Sequence, residues 1–392
     1  MSEFKIERIG EKGDGLSASR SFARTLPGEI VNNVGNVLTP SPDRVMPFCP
    51  VFDKCGGCKL QHWAAEPYQA WKTALLTHAL AARGLHPKIH PLIDAHGDGR
   101  RRVALHVREI DGLCRAGFMA EGSRNLVPID VCPVLTPRLQ AAPELAAKFG
   151  IFFGACDVSI IAAENGLDIA IKATRKLADQ AVAQFDGLMR AQNIMRIAVN
   201  GETRAQLTPP LVKMTKAMVP IPVGGFLQAT QKGEDTLAEL ILSHAKKSKS
   251  IADLFCGSGP FTFALAQKHT VHAVDSEKPA IAALQSAVRN TQGLKPITAE
   301  VRDLFRNPLT PMELKEYDLV VLDPPRAGAE AQCGNLAKSK VKRVVYVSCD
   351  VQSLARDAKL LCQAGYSFES VTPVDQFKFS AHLETVSLFT RA

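Results

Sequence analysis

No stretch of this chain approaches the roughly 18 consecutive apolar residues that a membrane-spanning helix requires, so a membrane protein of that type is excluded. The first residues, Met1-Ser2-Glu3-Phe4-Lys5, are polar and lack the basic-then-apolar order of a secretory signal. The expected location is therefore the cytoplasm. Internal repeats and low-complexity tracts are absent as well, and with 46% hydrophobic residues the chain is neither fibrous nor disordered. Charge of one sign is not gathered into a long tail. Lys and Arg number 47 against 39 Asp and Glu, a net charge of +8, but no long basic tail collects the excess. That balance suits a polyanionic partner without requiring one, and nothing in the sequence calls for an obligate protein partner.

What is present is length and cysteine. With 392 residues the chain can bury more than one core and divides into two or three domains. Ten cysteines in a reducing compartment are not disulfide staples, so clustered ones read as metal or catalytic ligands.

Residues 1–46 alternate short β-like runs with Gly10, Gly13 and Gly15 and reach Leu26-Pro27-Gly28-Glu29-Ile30-Val31, the pattern of a small β-barrel. Pro40-Ser41-Pro42-Asp43-Arg44 then interrupts regular structure and marks a linker. A central α+β domain is expected over 47–225. Within it, Trp71, Leu75, Leu76, Ala79 and Leu80 recur at helical spacing over 63–84, although the pattern does not assign that helix to either neighbouring domain. Asp111-Gly112 and Asn200-Gly201 each sit between strand-like runs as hairpin turns. From 226 to 392 the texture becomes βαβ, with strands at 251–255, 270–275, 318–323 and 344–348. The implied fold class is α/β, a doubly wound parallel sheet that binds ligands at the carboxyl ends of its strands.

Chemistry-bearing residues fall at those strand ends. Asp253-Leu254-Phe255-Cys256-Gly257-Ser258-Gly259-Pro260 closes the first strand and opens a helix. Its glycines permit close backbone approach to a ligand, but Thr262 stands where a dinucleotide fingerprint needs its third glycine, which argues against NAD. Asp275 closes the second strand, 22 residues after Asp253, where a carboxylate can bond ribose hydroxyls, and Asp303 follows the third. As structural features alone, the glycines would be tight turns and the two aspartates helix caps. Asp323-Pro324-Pro325-Arg326 gives a rigid extended segment after the fourth strand. Cys349, in Ser348-Cys349-Asp350, ends the fifth strand ahead of a helix whose dipole favours a thiolate. Glu384, in His382-Leu383-Glu384, enters the last strand. A thiolate and a carboxylate on one rim supply the parts for covalent catalysis with a general base.

A second group lies upstream. Cys49, Cys55 and Cys58 occur in Cys-Pro-Val-Phe-Asp-Lys-Cys-Gly-Gly-Cys, and Cys132, in Val131-Cys132-Pro133-Val134, is the candidate fourth ligand. Zinc favours paired short spacings, and this three-plus-one set is equally compatible with an iron–sulfur cluster. Arg100, Arg101, Arg102 and Arg108 on the central hairpin are candidate phosphate contacts.

The loop at 253–260, Asp-Pro-Pro-Arg at 323–326, Ser-Cys at 348–349 and His-Leu-Glu at 382–384 together resemble the RNA uracil-5 methyltransferase family. The resemblance implies a Rossmann-like methyltransferase domain that uses S-adenosylmethionine, with Cys349 as nucleophile and Glu384 as general base. It implies Gln228, Phe255, Asp275, Asp303 and Asp323 as cofactor-binding residues. It also implies a [4Fe–4S] cluster on Cys49, Cys55, Cys58 and Cys132, and a short TRAM-like module at the N-terminus. Pro260 and Thr230 depart from the family pattern, where a polar residue and an asparagine are common. The cysteine set points to the 23S rRNA branch, with a tRNA enzyme as the alternative and a noncatalytic RNA-binding assembly factor as a reading from another class.

Overall fold

The computed structural model describes residues 2–175 and 179–391. Its C-terminal half is built on β1 (Ser250–Leu254), β2 (Thr270–Asp275), β3 (Ile297–Val301), β4 (Leu319–Leu322), β5 (Arg343–Ser348), β6 (Ser367–Asp375) and β7 (Glu384–Thr390). These strands lie side by side in the order β3-β2-β1-β4-β5-β7-β6. The first five run parallel, and β7 inserts antiparallel between β5 and β6. Five helices accompany them: α1 (Gln231–Ala245), α2 (Pro260–Leu265), α3 (Lys278–Asn290), α4 (Glu330–Ala337) and α5 (Val351–Gln363).

The strands read as unbroken apolar runs because both faces of this sheet are covered. Val320, Leu322, Val344 and Tyr346 pack toward α4 and α5. The alternate residues Leu319, Val321, Val345 and Val347 pack toward α1 and α2. Strand order reverses between β1 and β4, which opens a crevice beyond the carboxyl ends of β1, β4 and β5.

Residues 65–94, which fall within the 47–225 range but whose helix the sequence pattern assigns to neither domain, pack with the C-terminal sheet. Leu76, Ala79, Leu80 and Leu85, from the helix Ala65–Ala81 and the turn after it, enter the core beneath α5. Lys88–Ile89 and Ile93–Asp94 then pair parallel with β6. β6 ends the domain's own strand order, and these pairings cover the backbone groups it would otherwise leave free.

The remaining central residues form a seven-stranded sheet whose spatial order is 126–128, 113–119, 102–110, 156–163, 166–173, 194–199 and 202–206. Helices Ala142–Phe153 and Asp179–Ala191 pack on it, with Phe149 against Phe185. Both hairpin turns form as the dipeptides require: Asp111 and Gly112 have φ of 51° and 75°, and Asn200 and Gly201 have 51° and 88°. A further hairpin, Leu211–Met214 with Ala217–Pro220, packs Val212, Met214 and Val219 in one cluster with Ile281 and Leu284 of α3 and with Ile161 and Ala163 of the central sheet.

The N-terminal strands form two three-stranded sheets, joined where Ile6 and Glu7 bond to Glu29 and Leu16. Each strand is only two or three residues long. Glu29 of Leu-Pro-Gly-Glu is buried and works as a staple. It accepts from the amides of Leu26 and Ser41 and from the Arg44 guanidinium at 2.6 and 2.9 Å. Among the described residues no helix is long and apolar enough to cross a membrane.

Candidate active site

The crevice is a cleft of about 700 Å³ whose walls include Gln228, Phe255, Asp275, Asp323, Cys349 and Glu384. Six of the seven residues singled out for catalysis and cofactor binding thus meet on one surface. The seventh, Asp303, is not on that wall. Its carboxylate accepts from the amides of Phe305 and Arg306, and this turn carries the Phe305 ring into the cleft, 5.4 Å from that of Phe255.

The glycine loop is built for close approach. Phe255 itself has φ of 63°, a left-handed conformation that costs energy in a residue with a side chain. Gly259 has φ of 94°, and a Cβ there would lie 2.8 Å from Leu284 of α3. Asp275 anchors the loop by accepting from the Gly257 amide at 2.8 Å, and its second oxygen accepts from the Glu277 amide. Pro260 occupies the first turn of α2, where the missing N–H is no loss. Thr230, the other departure from the family pattern, caps α1: its hydroxyl accepts from the Gly233 amide and donates to the Ala95 carbonyl.

Acidic groups dominate the electrostatics. Asp253, fully buried beneath the cleft, is pushed up to about 7 by burial, offset in part by a 2.6 Å bond from the Thr262 hydroxyl. Asp323 lies deep with one edge open to the cleft. Burial raises it well above the ordinary carboxyl range, with Glu384, Asp253 and Asp275 adding to the effect. Burial likewise takes Glu384 up to about 7, while Gln376 and Arg326 pull it back. Such an acid-rich, poorly solvated cleft favours a cationic ligand. Glu384 is no edge residue, because β7 is flanked on both sides.

Cys349 differs from the sequence expectation. The helix behind it, α5, is capped by Asp350, whose carboxylate takes the amides of Gln352 and Ser353, so those N–H groups are not free to stabilise a thiolate. Burial instead pushes the thiol up to about 12, reinforced by Glu384 and Asp323, with Arg326 opposing.

The arginines of the central hairpin also separate. Arg101 is buried and makes no surface for phosphate. It donates to the Gln228 carbonyl at 3.0 Å, to the Gln231 side chain at 2.6 Å and to the carboxylate of Glu234, another cleft residue. Arg108 donates to the carbonyls of Val107 and Cys156.

Three functional neighbours carried no sequence signal. Gln376 bonds both Gln228 and Glu384. Lys72, fully buried on the Ala65–Ala81 helix, donates to Asp375 at 2.5 Å and to the His382 carbonyl at 2.7 Å. Tyr68 donates to the other oxygen of Asp375 at 2.8 Å. Together these hold the 376–383 segment, which brings Phe377, His382 and Glu384 to the cleft. No local pattern points to them, since apart from Glu384, eight residues beyond Gln376, they meet groups about 150 to 310 positions away.

Cys49, Cys55, Cys58 and Cys132 all line a second cavity of about 120 Å³. That is roughly ten times the space one water needs, more than a single ion fills. Burial pushes Cys132 up to about 12, and the proximity of Cys58, Cys49 and Cys55 contributes. Among the described residues no three His, Cys, Asp or Glu side chains stand close enough to share one ion. A cluster with one thiolate per iron needs its sulfurs set wider than a tetrahedral zinc does. Just beyond these cysteines, the amides of Lys59 and Leu60 donate to the Phe379 carbonyl, and the Phe48 ring lies 5.3 Å from that of Phe379.

Residues 221–392 match the family model described as tRNA (Uracil-5-)-methyltransferase. An uncharacterized RNA methyltransferase of Caulobacter vibrioides is 43% identical over 418 residues, covering 100% of both chains. A 23S rRNA (uracil(1939)-C(5))-methyltransferase of Chromohalobacter salexigens is 31% identical over 432 residues, covering 98% of this chain and 88% of its own. The solved structure of Pyrococcus abyssi tRNA (uracil-54, C5)-methyltransferase in complex with S-adenosyl-L-homocysteine shares the fold, with a TM-score of 0.78 at 19% identity over 99% of this chain and 100% of that one. The chain belongs to the S-adenosylmethionine-dependent RNA (uracil-5-)-methyltransferase family.

Proposed function

We propose that this protein methylates C5 of a uridine in 23S rRNA. The observation that carries the reading is the convergence of Cys349, Glu384, Asp323 and Gln228 on one acidic cleft at the strand-order reversal. The ribosomal substrate is favoured by end-to-end similarity to the Chromohalobacter enzyme together with the four-cysteine cavity. A tRNA substrate is the alternative, supported by the shared fold of the Pyrococcus protein.

Uracil C5 is a poor carbon nucleophile. The Cys349 thiolate adds to C6 and places the electron pair at C5, which would take the sulfonium methyl group as the S–CH3 bond breaks and its electron pair stays on sulfur, leaving the neutral thioether S-adenosylhomocysteine. Glu384 removes the C5 proton, the C5–C6 double bond reforms, and the Cys349–C6 bond breaks to return the thiolate. Bound in the cleft, S-adenosylmethionine supplies an electrophilic methyl group and a sulfonium positive charge. A cation beside Cys349, Asp323 and Glu384 favours the ionised form of all three. Gln228, Phe255, Asp275 and Asp323 line the cofactor's side of the cleft, and Asp303 acts at one remove by holding Phe305. The target base has to leave its stack to reach this depth, at a cost of a few kcal/mol, which favours RNA loops.

Cys49, Cys55, Cys58 and Cys132 would hold a [4Fe–4S] cluster: all four line one cavity. Such a cluster would supply a covalent brace between the 49–58 loop and the turn at 132, and the methyl transfer needs no electron from it.

The test is incubation with tritiated S-adenosylmethionine and unmodified 23S rRNA or tRNA transcripts, comparing the unmodified protein with Cys349→Ala. Label at uridine C5 of rRNA that depends on Cys349 is the expected result. Label in tRNA alone transfers the assignment to the alternative, and no label in either refutes both.

A further inference from the structure

Gln376 is fully buried immediately after β6, and its carboxamide is engaged on every side. Its oxygen accepts from the Ala229 amide at 3.0 Å. Its nitrogen lies 2.7 Å from Oε1 of Gln228 and 3.2 Å from Oε1 of Glu384. A primary amide has two N–H donors and one acceptor oxygen, so this set uses all of them. The Ala229 amide also fixes the orientation. Turning the carboxamide over would oppose two N–H donors there and set its oxygen against a carboxylate oxygen.

We propose that Gln376 is a positioning residue for the methyl transfer, holding the Glu384 carboxylate in its ionised, proton-accepting orientation across the cleft from the cofactor wall. The inference rests on the reading of Glu384 as base given above. Two surrounding features support it. Asp375, the preceding residue, is locked by Lys72 and Tyr68, so the backbone that presents Gln376 is itself fixed. On the opposite side, Gly233 of α1 leaves the space the carboxamide occupies: a Cβ there would lie 2.5 Å from Gln376 Oε1.

The charge environment makes this contact consequential. Cys349 and Asp323, at the ends of β5 and β4, are both acidic neighbours of Glu384. Glu234 on α1 is occupied by Arg101. Arg326 is the cation facing Glu384, and its guanidinium lies against the ring of His382. Gln376 donates the one hydrogen bond from a side chain that Glu384 receives among the described residues. Removing it disfavours the carboxylate relative to the acid.

The experiment is single-turnover methylation of an RNA substrate from pH 5.5 to 9.5, with Gln376→Met and Gly233→Ala beside the unmodified protein. Gly233→Ala displaces the same carboxamide while leaving Gln376 in the sequence. Both variants should move the acid limb of the rate profile up by about one pH unit, which makes the rate at pH 7 about fivefold lower and recovers it near pH 9. Near pH 7 both should also accumulate the methylated Cys349–RNA adduct, visible as a band that survives denaturing electrophoresis, because C5 deprotonation becomes the slow step. Rate loss that is equal at every pH, or an unmoved limb with no adduct, overturns the role of Gln376 while the methyltransferase assignment stands. Absence of methyl transfer by the unmodified protein on any RNA overturns both.

Discussion

Replacing Lys72 by methionine keeps the length and most of the volume of a fully buried side chain while deleting its charge. Asp375, 2% exposed, would be left with the Tyr68 hydroxyl as its side-chain partner, and the carbonyls of His382 and Phe377 would lose the donor at 2.7 and 3.4 Å. Breaking a buried ion pair from one side costs about 3–5 kcal/mol, since the remaining charge stays desolvated. The His382 carbonyl, left without this donor, adds on the order of 1 kcal/mol, whereas the Phe377 carbonyl keeps the amide and hydroxyl of Ser380. Asp375→Asn should be comparably damaging, and the double variant Lys72→Met/Asp375→Asn should cost clearly less than the sum, with a coupling of at least about 2 kcal/mol. The assay is built into the chain: its two tryptophans, Trp63 and Trp71, lie 5.9 Å apart in this unit, and Trp71 is 6.3 Å from Tyr68. Tryptophan fluorescence during urea unfolding therefore reports on the clamp directly. A single-variant loss below about 1 kcal/mol, or strict additivity in the double variant, would refute the argument that this pair anchors the 376–383 segment.

Arg101→Met should weaken S-adenosylhomocysteine binding and lower stability by about 3 kcal/mol through the uncovered Glu234, while the salt dependence of RNA binding stays unchanged; a flatter salt slope would restore Arg101 as a phosphate contact. The methylation rate should rise through about pH 7 as Glu384 ionises. Stability should run the other way. Glu384 is raised from an ordinary 4.5 to about 7, so the folded protein binds the extra proton between those values. Its contribution, about 3 kcal/mol, is present below pH 4.5 and lost as pH rises through 7. Thermal melts of Glu384→Gln should accordingly show a flatter pH dependence than the unmodified protein, and equal slopes would contradict the assignment. Changing Cys49, Cys55, Cys58 and Cys132 together to serine should abolish bound iron and acid-labile sulfide and increase amide exchange in 376–383, which the 59–60 amides hold at Phe379; protein without iron after anaerobic preparation would remove the cluster from the proposal.

Legibility in the sequence followed the range of the forces involved. Asp111-Gly112 and Asn200-Gly201 announce their hairpins because the left-handed φ values are a local demand. The apolar runs at 319–322 and 343–348 announce a sheet covered on both faces. Cys349 and Glu384 could be placed on one rim because strand ends in a doubly wound sheet share an edge. The thiolate environment of Cys349 could not be read in this way. It turns on Asp350 capping α5 and on burial beside two carboxyls, neither of which a strand-end position reveals. Arg101 and Asp303 show a related limit: an arginine on a hairpin and an aspartate after a strand look the same in sequence whether they face solvent, a ligand or the protein interior.

By itself, then, the sequence determined the alternation of strands and helices, the positions of the turns, and the residue types that meet at the carboxyl edge of the sheet. Each of these depends on interactions within a few residues or on the two-residue period of a strand. Only the tertiary structure decided that residues 65–94 complete the catalytic sheet, and that Arg101 ties the central domain to the cofactor wall. It also decided that Lys72 and Gln376 brace the segment carrying Glu384. Those contacts join groups about 10 to 310 positions apart. They are selected by which buried charges and amides find partners once the cores have closed, a condition that no local pattern records.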